Sequence, residues 1–142
     1  MVGVVAVRGG VPLQGSVRVR GAKNLVPKAM VAALLAPGVS VLRNVPDVAD
    51  VSIVAGLLGL HGVGVERDVE GGTVVVDAAR VANPDVSEVV THGGTSRIPV
   101  LFCGPLLHRL GRAFIPDLGG CRIGDRPIDF HLDALTVCAA PS

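Results

Sequence analysis

The chain has no tryptophan, no tyrosine and only three phenylalanines among its 142 residues. Proteins that grip single-stranded nucleic acid stack its bases on aromatic rings, so that mode of binding is excluded. Charge is equally thin. Thirteen Lys and Arg face twelve Asp and Glu, a formal net charge of +1. That leaves no basic excess for a phosphate backbone or an anionic membrane surface. The three cysteines, Cys103, Cys121 and Cys138, are an odd number with no Cys-x-x-Cys spacing, against both a disulfide framework and a zinc site. His61, His92, His108 and His131 are scattered and form no ligand pair at helical spacing. No metal and no cofactor is therefore expected. The longest uncharged apolar run, Ala29 to Leu42, is broken by Pro37-Gly38 and is too short to span a bilayer. The N-terminus lacks the basic start and apolar core of a signal peptide. A soluble, reducing, cytoplasmic setting is expected, with oligomeric state left open.

What is present is aliphatic. The apolar fraction is 49%, carried by Val, Leu, Ala and Ile, and 19 glycines recur beside turn-forming residues. The length suits one ordinary domain with a core. Residues 2–8 and 16–20 are rich in valine, and turn chemistry lies between them, which predicts a hairpin. Asn24 is placed to cap a helix from 25 to about 36 that is apolar nearly all round and so expected to be buried on most sides. Residues 39–43 read as a strand. Residues 48–60 read as a helix with Val51, Val54, Leu57 and Leu58 on its inner face. A second hairpin is expected from 63–67 and 73–77, and 78–94 reads as a polar connector.

After the connector the pattern restarts. Thr95-Ser96-Arg97 precede another apolar helix, Leu106-Leu107 correspond to Leu34-Leu35, and Gly111 with the following RAFIP corresponds to Gly38 with VSVLR. The period is roughly 70 residues. The second copy carries an insertion of about eight residues, Asp117 to Asp125, between its strand and the helix opening at Pro127. A loop added to one copy of a repeated scaffold is a plausible place for function.

That loop, within Gly119-Gly120-Cys121-Arg122-Ile123-Gly124-Asp125-Arg126-Pro127-Ile128-Asp129-Phe130-His131, concentrates reactive chemistry. Flanking guanidinium groups favour the thiolate of Cys121 and can hold an anion. A glycine-rich turn with an incidental cysteine fits the same residues, and from the loop alone the two readings stand level. Each copy also sets a cation at the start of its apolar helix, Lys23 beside Asn24 and Arg97 after Ser96. Free amides at such starts favour anions, so several phosphates or carboxylates on one ligand would suit these positions. Ordinary solvated helix ends are the plainer alternative. No phosphate-loop spacing occurs.

Gly21-Ala22-Lys23-Asn24, Asn44-Val45-Pro46-Asp47-Val48-Ala49-Asp50-Val51, Gly104-Pro105-Leu106-Leu107 and above all the cysteine loop resemble the UDP-N-acetylglucosamine enolpyruvyl transferase (1-carboxyvinyltransferase) family. The resemblance runs from about residue 4 to Leu135. It implies a two-domain inside-out α/β barrel with buried central helices. It implies transfer of the enolpyruvyl group of phosphoenolpyruvate to the 3′-hydroxyl of UDP-N-acetylglucosamine, the first committed step of peptidoglycan synthesis, in the cytoplasm. It also implies roles, residue by residue. Lys23 and Asn24 match a substrate-contacting pair, and Arg97 matches an arginine near the substrate phosphates. Cys121 matches the loop cysteine that adds to phosphoenolpyruvate, serves as an acid and is alkylated by fosfomycin. Arg126 matches an arginine on phosphoenolpyruvate, and Pro127, Ile128, Asp129 and Phe130 match a segment against the uridine.

The chain departs from the family pattern at Leu118, where a proline is usual, and at Ile98-Pro99, where Ala-Ser is usual. After Leu135 the continuation is lost, as a truncation or shifted frame would give. The expectation is thus an N-terminal piece: residues 1–20 a strand hairpin of an absent second domain, and 21–142 an incomplete first domain made of 21–77, connector 78–94 and 95–142. Such a piece is expected to be inactive alone. A shikimate-phosphate-type enolpyruvyl transferase and a non-catalytic nucleotide-sugar-binding or interaction fragment are the alternatives.

Overall fold

The computed structural model describes residues 4–83, 86–93, 97–115 and 127–139. Its ordered centre is the first repeated unit. Helix α1 (Val26–Ala32) runs into a short 3-10 turn (Ala33–Leu35), followed by strand β1 (Val39–Arg43), helix α2 (Ala49–Leu60) and strands β2 (Gly64–Asp68) and β3 (Thr73–Asp77). The three strands form an antiparallel sheet in the order β1-β3-β2, with Val41 opposite Val75 and Val75 opposite Glu66. The valine-rich β3 takes the centre, where β-branched side chains pack on both neighbours. Leu42, Val65, Val74 and Val76 line its inner face against the helices.

Helix α2 forms as its spacing predicts. Val51, Val54, Leu57 and Leu58 are all buried. It ends at His61 because Gly62 adopts a left-handed φ of +76°, allowing Val63 N–H to reach back to the Leu58 carbonyl at 3.1 Å. The β2–β3 turn is closed by the Asp68 carboxylate, which accepts the Gly71 N–H at 2.8 Å.

Several sequence expectations meet the structure here. Asn24 does not cap α1. The N–H groups of Leu25 and Val26 both bond to the Ala22 carbonyl, so the turn has already begun and Leu25, not Asn24, precedes the helix. Helix α1 is buried on most sides, at Val26, Pro27, Met30 and Val31, and only Lys28 and Ala32 within it are exposed; Leu25 before it and Leu35 after it are also exposed. Residues 4–20 contain no strand. Val4, Val5, Val7, Leu13, Val17 and Val19 are all exposed, Leu13 at 97%. A two-stranded hairpin with no surface to bury against is marginal in water. Finally, 78–94 is more than a polar connector. It contains helix α3 (Val86–Gly93), which packs on α2 and buries Val89. The apolar spacing of Val86, Val89 and Val90 after Pro84 was the signal that the polar composition obscured.

The second unit inverts the order of helix types. A 3-10 turn (Ile98–Phe102) comes first and α4 (Cys103–Leu110) follows. Pro105 falls in the first turn of α4, where its missing N–H is tolerated. The repeat itself holds at its key position, because Leu34 and Leu106 are both fully buried. The strand expected at RAFIP is not formed over 112–115. Ala113 and Ile115 still lean on the core while Phe114 is exposed, so the alternation survives without a partner strand to pair with. Helix α5 (Asp129–Ala139) closes the described chain and exposes Phe130, Leu132 and Val137.

Among the described residues, Arg109 and His61 help to hold the units together. The Arg109 guanidinium on α4 donates to the carbonyl of Leu34 at 2.8 Å and that of Ala78 at 3.2 Å. It thus satisfies backbone acceptors at the end of the first helix and after β3. His61, nearly buried, donates from Nδ1 to the Ala82 carbonyl at 2.9 Å and stacks on Phe102 with ring centroids 5.6 Å apart. Burial pushes its pKa below the usual 6.5, only partly offset by the Ala82 carbonyl. The folded chain therefore binds fewer protons here than the unfolded chain. The contribution of His61 is present above pH 6.5 and is lost as pH falls through the lowered value. Thermal unfolding from pH 7.5 down to 5 should show a loss of stability that His61→Phe reduces.

Candidate functional site

The sequence places two cations at the starts of two helical segments, and the fold brings those segments together. Helix α1 packs on the 3-10 turn Ile98–Phe102, and α2 packs on both. Lys23 lies just before α1, and Arg97 immediately before the 3-10 turn, where it is half-buried.

The Lys23 loop is built against the 44–50 segment. Gly21 N–H donates to the Asn44 carbonyl at 2.8 Å, and a Cβ at Gly21 would lie 2.7 Å from that same oxygen. Only glycine allows this approach. Asn44 holds a left-handed φ of +60°, and the next residue, Val45, bonds to the Gly72 carbonyl at 2.8 Å. Arg20 reaches the Glu70 carbonyl at 2.9 Å. The loop is therefore tied to the β2–β3 turn on one side and to the start of α2 on the other.

Lys23 Nζ stands 3.4 Å from Asp50 Oδ2 in the first turn of α2. Lys28 Nζ donates to the Asn24 carbonyl at 2.8 Å. Both lysines of the chain thus sit at one helix start. A cavity of about 710 Å³ is lined by Arg18, Arg20, Asn44, Glu70 and Gly71, with neither lysine in its wall. Asp50 and Asn44 were not predicted as site residues. Both lie far from Lys23 in sequence, and only folding brings them to it.

Of the remaining candidates, Pro127 and Asp129 are exposed, Ile128 is half-buried and Phe130 is 82% exposed. Ile128 begins α5 by accepting the N–H groups of His131 and Leu132 at 2.9 and 3.2 Å. Asp129 occupies the first turn, which suits a carboxylate. Cys121 and Arg126, with Arg122 and the flanking glycines, lie outside the described residues. Cys103 is half-buried in α4, and burial raises its thiol pKa, which makes it a poor nucleophile. Among the described residues no three His, Cys, Asp or Glu side chains group as metal ligands, and no helix is long and apolar enough to cross a membrane.

Comparison with known proteins supplies what the described geometry lacks. The family model for EPSP synthase (3-phosphoshikimate 1-carboxyvinyltransferase) matches residues 7–140. A UDP-N-acetylglucosamine 1-carboxyvinyltransferase of Anaeromyxobacter sp. (strain K) is 50% identical over 139 residues, covering 96% of this chain and 32% of the relative. The protein of the same name from Coxiella burnetii (strain Dugway 5J108-111) is 39% identical over 132 residues, covering 93% and 30%. Among solved structures, the enolpyruvyl transferase NikO from Streptomyces tendae superposes with a TM-score of 0.59 at 23% identity, over 72% of this chain and 23% of that one. The chain spans about a third of the length of the curated relatives it matches. Matched by the family model over residues 7–140 and 50% identical to such a relative over 96% of its own length, this mixed α/β chain belongs to the EPSP synthase family of enolpyruvyl transferases.

Proposed function

We propose that this chain supplies part of the catalytic domain of a UDP-N-acetylglucosamine 1-carboxyvinyltransferase. The observation that carries the reading is the 50% identity over 96% of the chain to a relative of that name. In this reading the longer protein transfers the enolpyruvyl group of phosphoenolpyruvate to the sugar-nucleotide 3′-hydroxyl and releases phosphate, committing the sugar to the cell wall. The cysteine loop favours this substrate over shikimate 3-phosphate.

Within the reading, Lys23 and Asn24 contact substrate at the start of α1, and Arg97 neutralises substrate phosphate from the second unit. Arg126 holds phosphoenolpyruvate, Cys121 is the reactive thiol and acid, and Pro127 to Phe130 lie against the uridine. The contact of α1 with the 3-10 turn after Arg97 supports bringing Lys23 and Arg97 to one ligand. The exposure of Phe130 supports a surface that a ligand or the second domain covers.

The two-domain inside-out barrel belongs to the same proposal. The exposed valines of residues 4–20 and the exposed face of α5 are surfaces that the remaining two thirds of the relatives would cover. Transfer needs both domains to close over two substrates and exclude water. The 142-residue chain alone is therefore inactive in this reading. The test is phosphate release from phosphoenolpyruvate and UDP-N-acetylglucosamine, measured for the chain alone and for the chain joined to the C-terminal remainder of the Anaeromyxobacter relative.

A further inference from the structure

Lys23 is paired before any substrate arrives. Its ammonium lies 3.4 Å from Asp50 Oδ2, with the lysine side chain 64% exposed and the aspartate 30% exposed. The aspartate is the better fixed of the two. It sits in the first turn of α2, preceded by Val48, which offers no side-chain cap, so the helix end itself favours a carboxylate there. The lysine hangs from a loop tied down by the Gly21–Asn44 hydrogen bond. The second lysine, Lys28, reaches a backbone carbonyl instead, at Asn24.

An ion pair this exposed is weak, because water screens it and a flexible side chain must be ordered to make it. Weakness is what an exchangeable partner requires. A doubly charged phosphate can draw the ammonium away at little cost, and Asp50 remains in place to take it back when the anion leaves.

We propose that Asp50 is a positioning residue for Lys23, an internal counter-ion that holds the ammonium at the mouth of the site and competes with ligand phosphate for it. The proposal rests on the reading of Lys23 as a substrate contact. It assigns Asp50 an effect on both phosphate binding and phosphate release. Removing the carboxylate tightens binding by removing the competitor, and it leaves Lys23 without a resting partner.

The experiment uses the 142-residue chain and inorganic phosphate. Because the chain has only two lysines, their ε-methylene NMR signals separate cleanly. In Asp50→Asn the Lys23 signal should shift while that of Lys28 stays. Asp50→Glu should restore the wild-type position. Titrated phosphate should move the Lys23 signal in the wild-type chain and bind about threefold tighter in Asp50→Asn, as expected for a weak exposed pair, and Asp50→Asn should no longer tighten phosphate binding once Lys23→Met is present. A Lys23 signal unmoved by Asp50→Asn overturns the proposal, even if the variant melts earlier, because Asp50 then only stabilises the start of α2. Equal or weaker phosphate binding in Asp50→Asn, or no response of Lys23 to phosphate in either protein, overturns it as well. Turnover by the joined protein is a separate readout. Its absence beside an intact exchange would remove the proposed reaction and leave the counter-ion standing.

Discussion

Lys23→Ala should lower kcat/KM of the joined protein by about 10²–10³-fold, the range for deleting one donor that stabilises developing negative charge in the transition state. The same substitution should leave the fold intact. Lys23 is 64% exposed, and its ion pair with Asp50 contributes at most about 0.2–1 kcal/mol. Activity and stability should therefore separate completely at this position. Steady-state kinetics with phosphoenolpyruvate as the varied substrate, beside a thermal melt of the same protein, checks both halves. A variant that unfolds would show instead that the loop before α1 is structural. A variant with unchanged kinetics would remove Lys23 from the site.

The second large effect lies in the core. Leu58 is fully buried on α2, the element that contacts α1, α3, β2 and the 3-10 turn of the second unit. Leu58→Ala should cost about 3–5 kcal/mol, the range for a buried leucine whose cavity cannot collapse. Domains of this size are stable by about 5–15 kcal/mol. This chain also leaves many valines and leucines in water, so its margin should fall at the low end. Leu58→Ala is expected to abolish cooperative unfolding, whereas Leu35→Ala, at a half-exposed position in the 3-10 turn after α1, should shift stability by about 0.5 kcal/mol or less. Urea melts followed by circular dichroism distinguish the two.

The parts of the fold that were legible in the sequence are those whose neighbours are also in the chain. Helix α2 and the β2–β3 hairpin could be read because Val51, Val54, Leu57 and Leu58, and the alternating strands, find their partners within the first unit. The valines of residues 4–20 and the RAFIP segment carry strand patterns of similar quality and form no ladder. A strand needs a neighbour as well as a pattern, and none is present among the described residues. Helix α3 was hidden for a different reason: its polar surround outweighed three apolar positions. The site shows the same division. Lys23, Asn24 and Arg97 stood out as cations and a polar residue at helix starts, and α1 packs on the 3-10 turn that follows Arg97. Asp50 carried no signal, since a first-turn aspartate is ordinary until folding sets it 3.4 Å from a lysine.

In the proposed reading this chain holds one side of an enolpyruvyl transfer site and needs the rest of the relatives' length to work. Phosphate release from phosphoenolpyruvate in the presence of UDP-N-acetylglucosamine tests it most directly. The account predicts no release from the 142-residue chain alone, release from the chain joined to the remainder of the Anaeromyxobacter relative, and loss of that release in Cys121→Ala. Turnover by the chain alone, or a joined protein indifferent to Cys121→Ala, would contradict it.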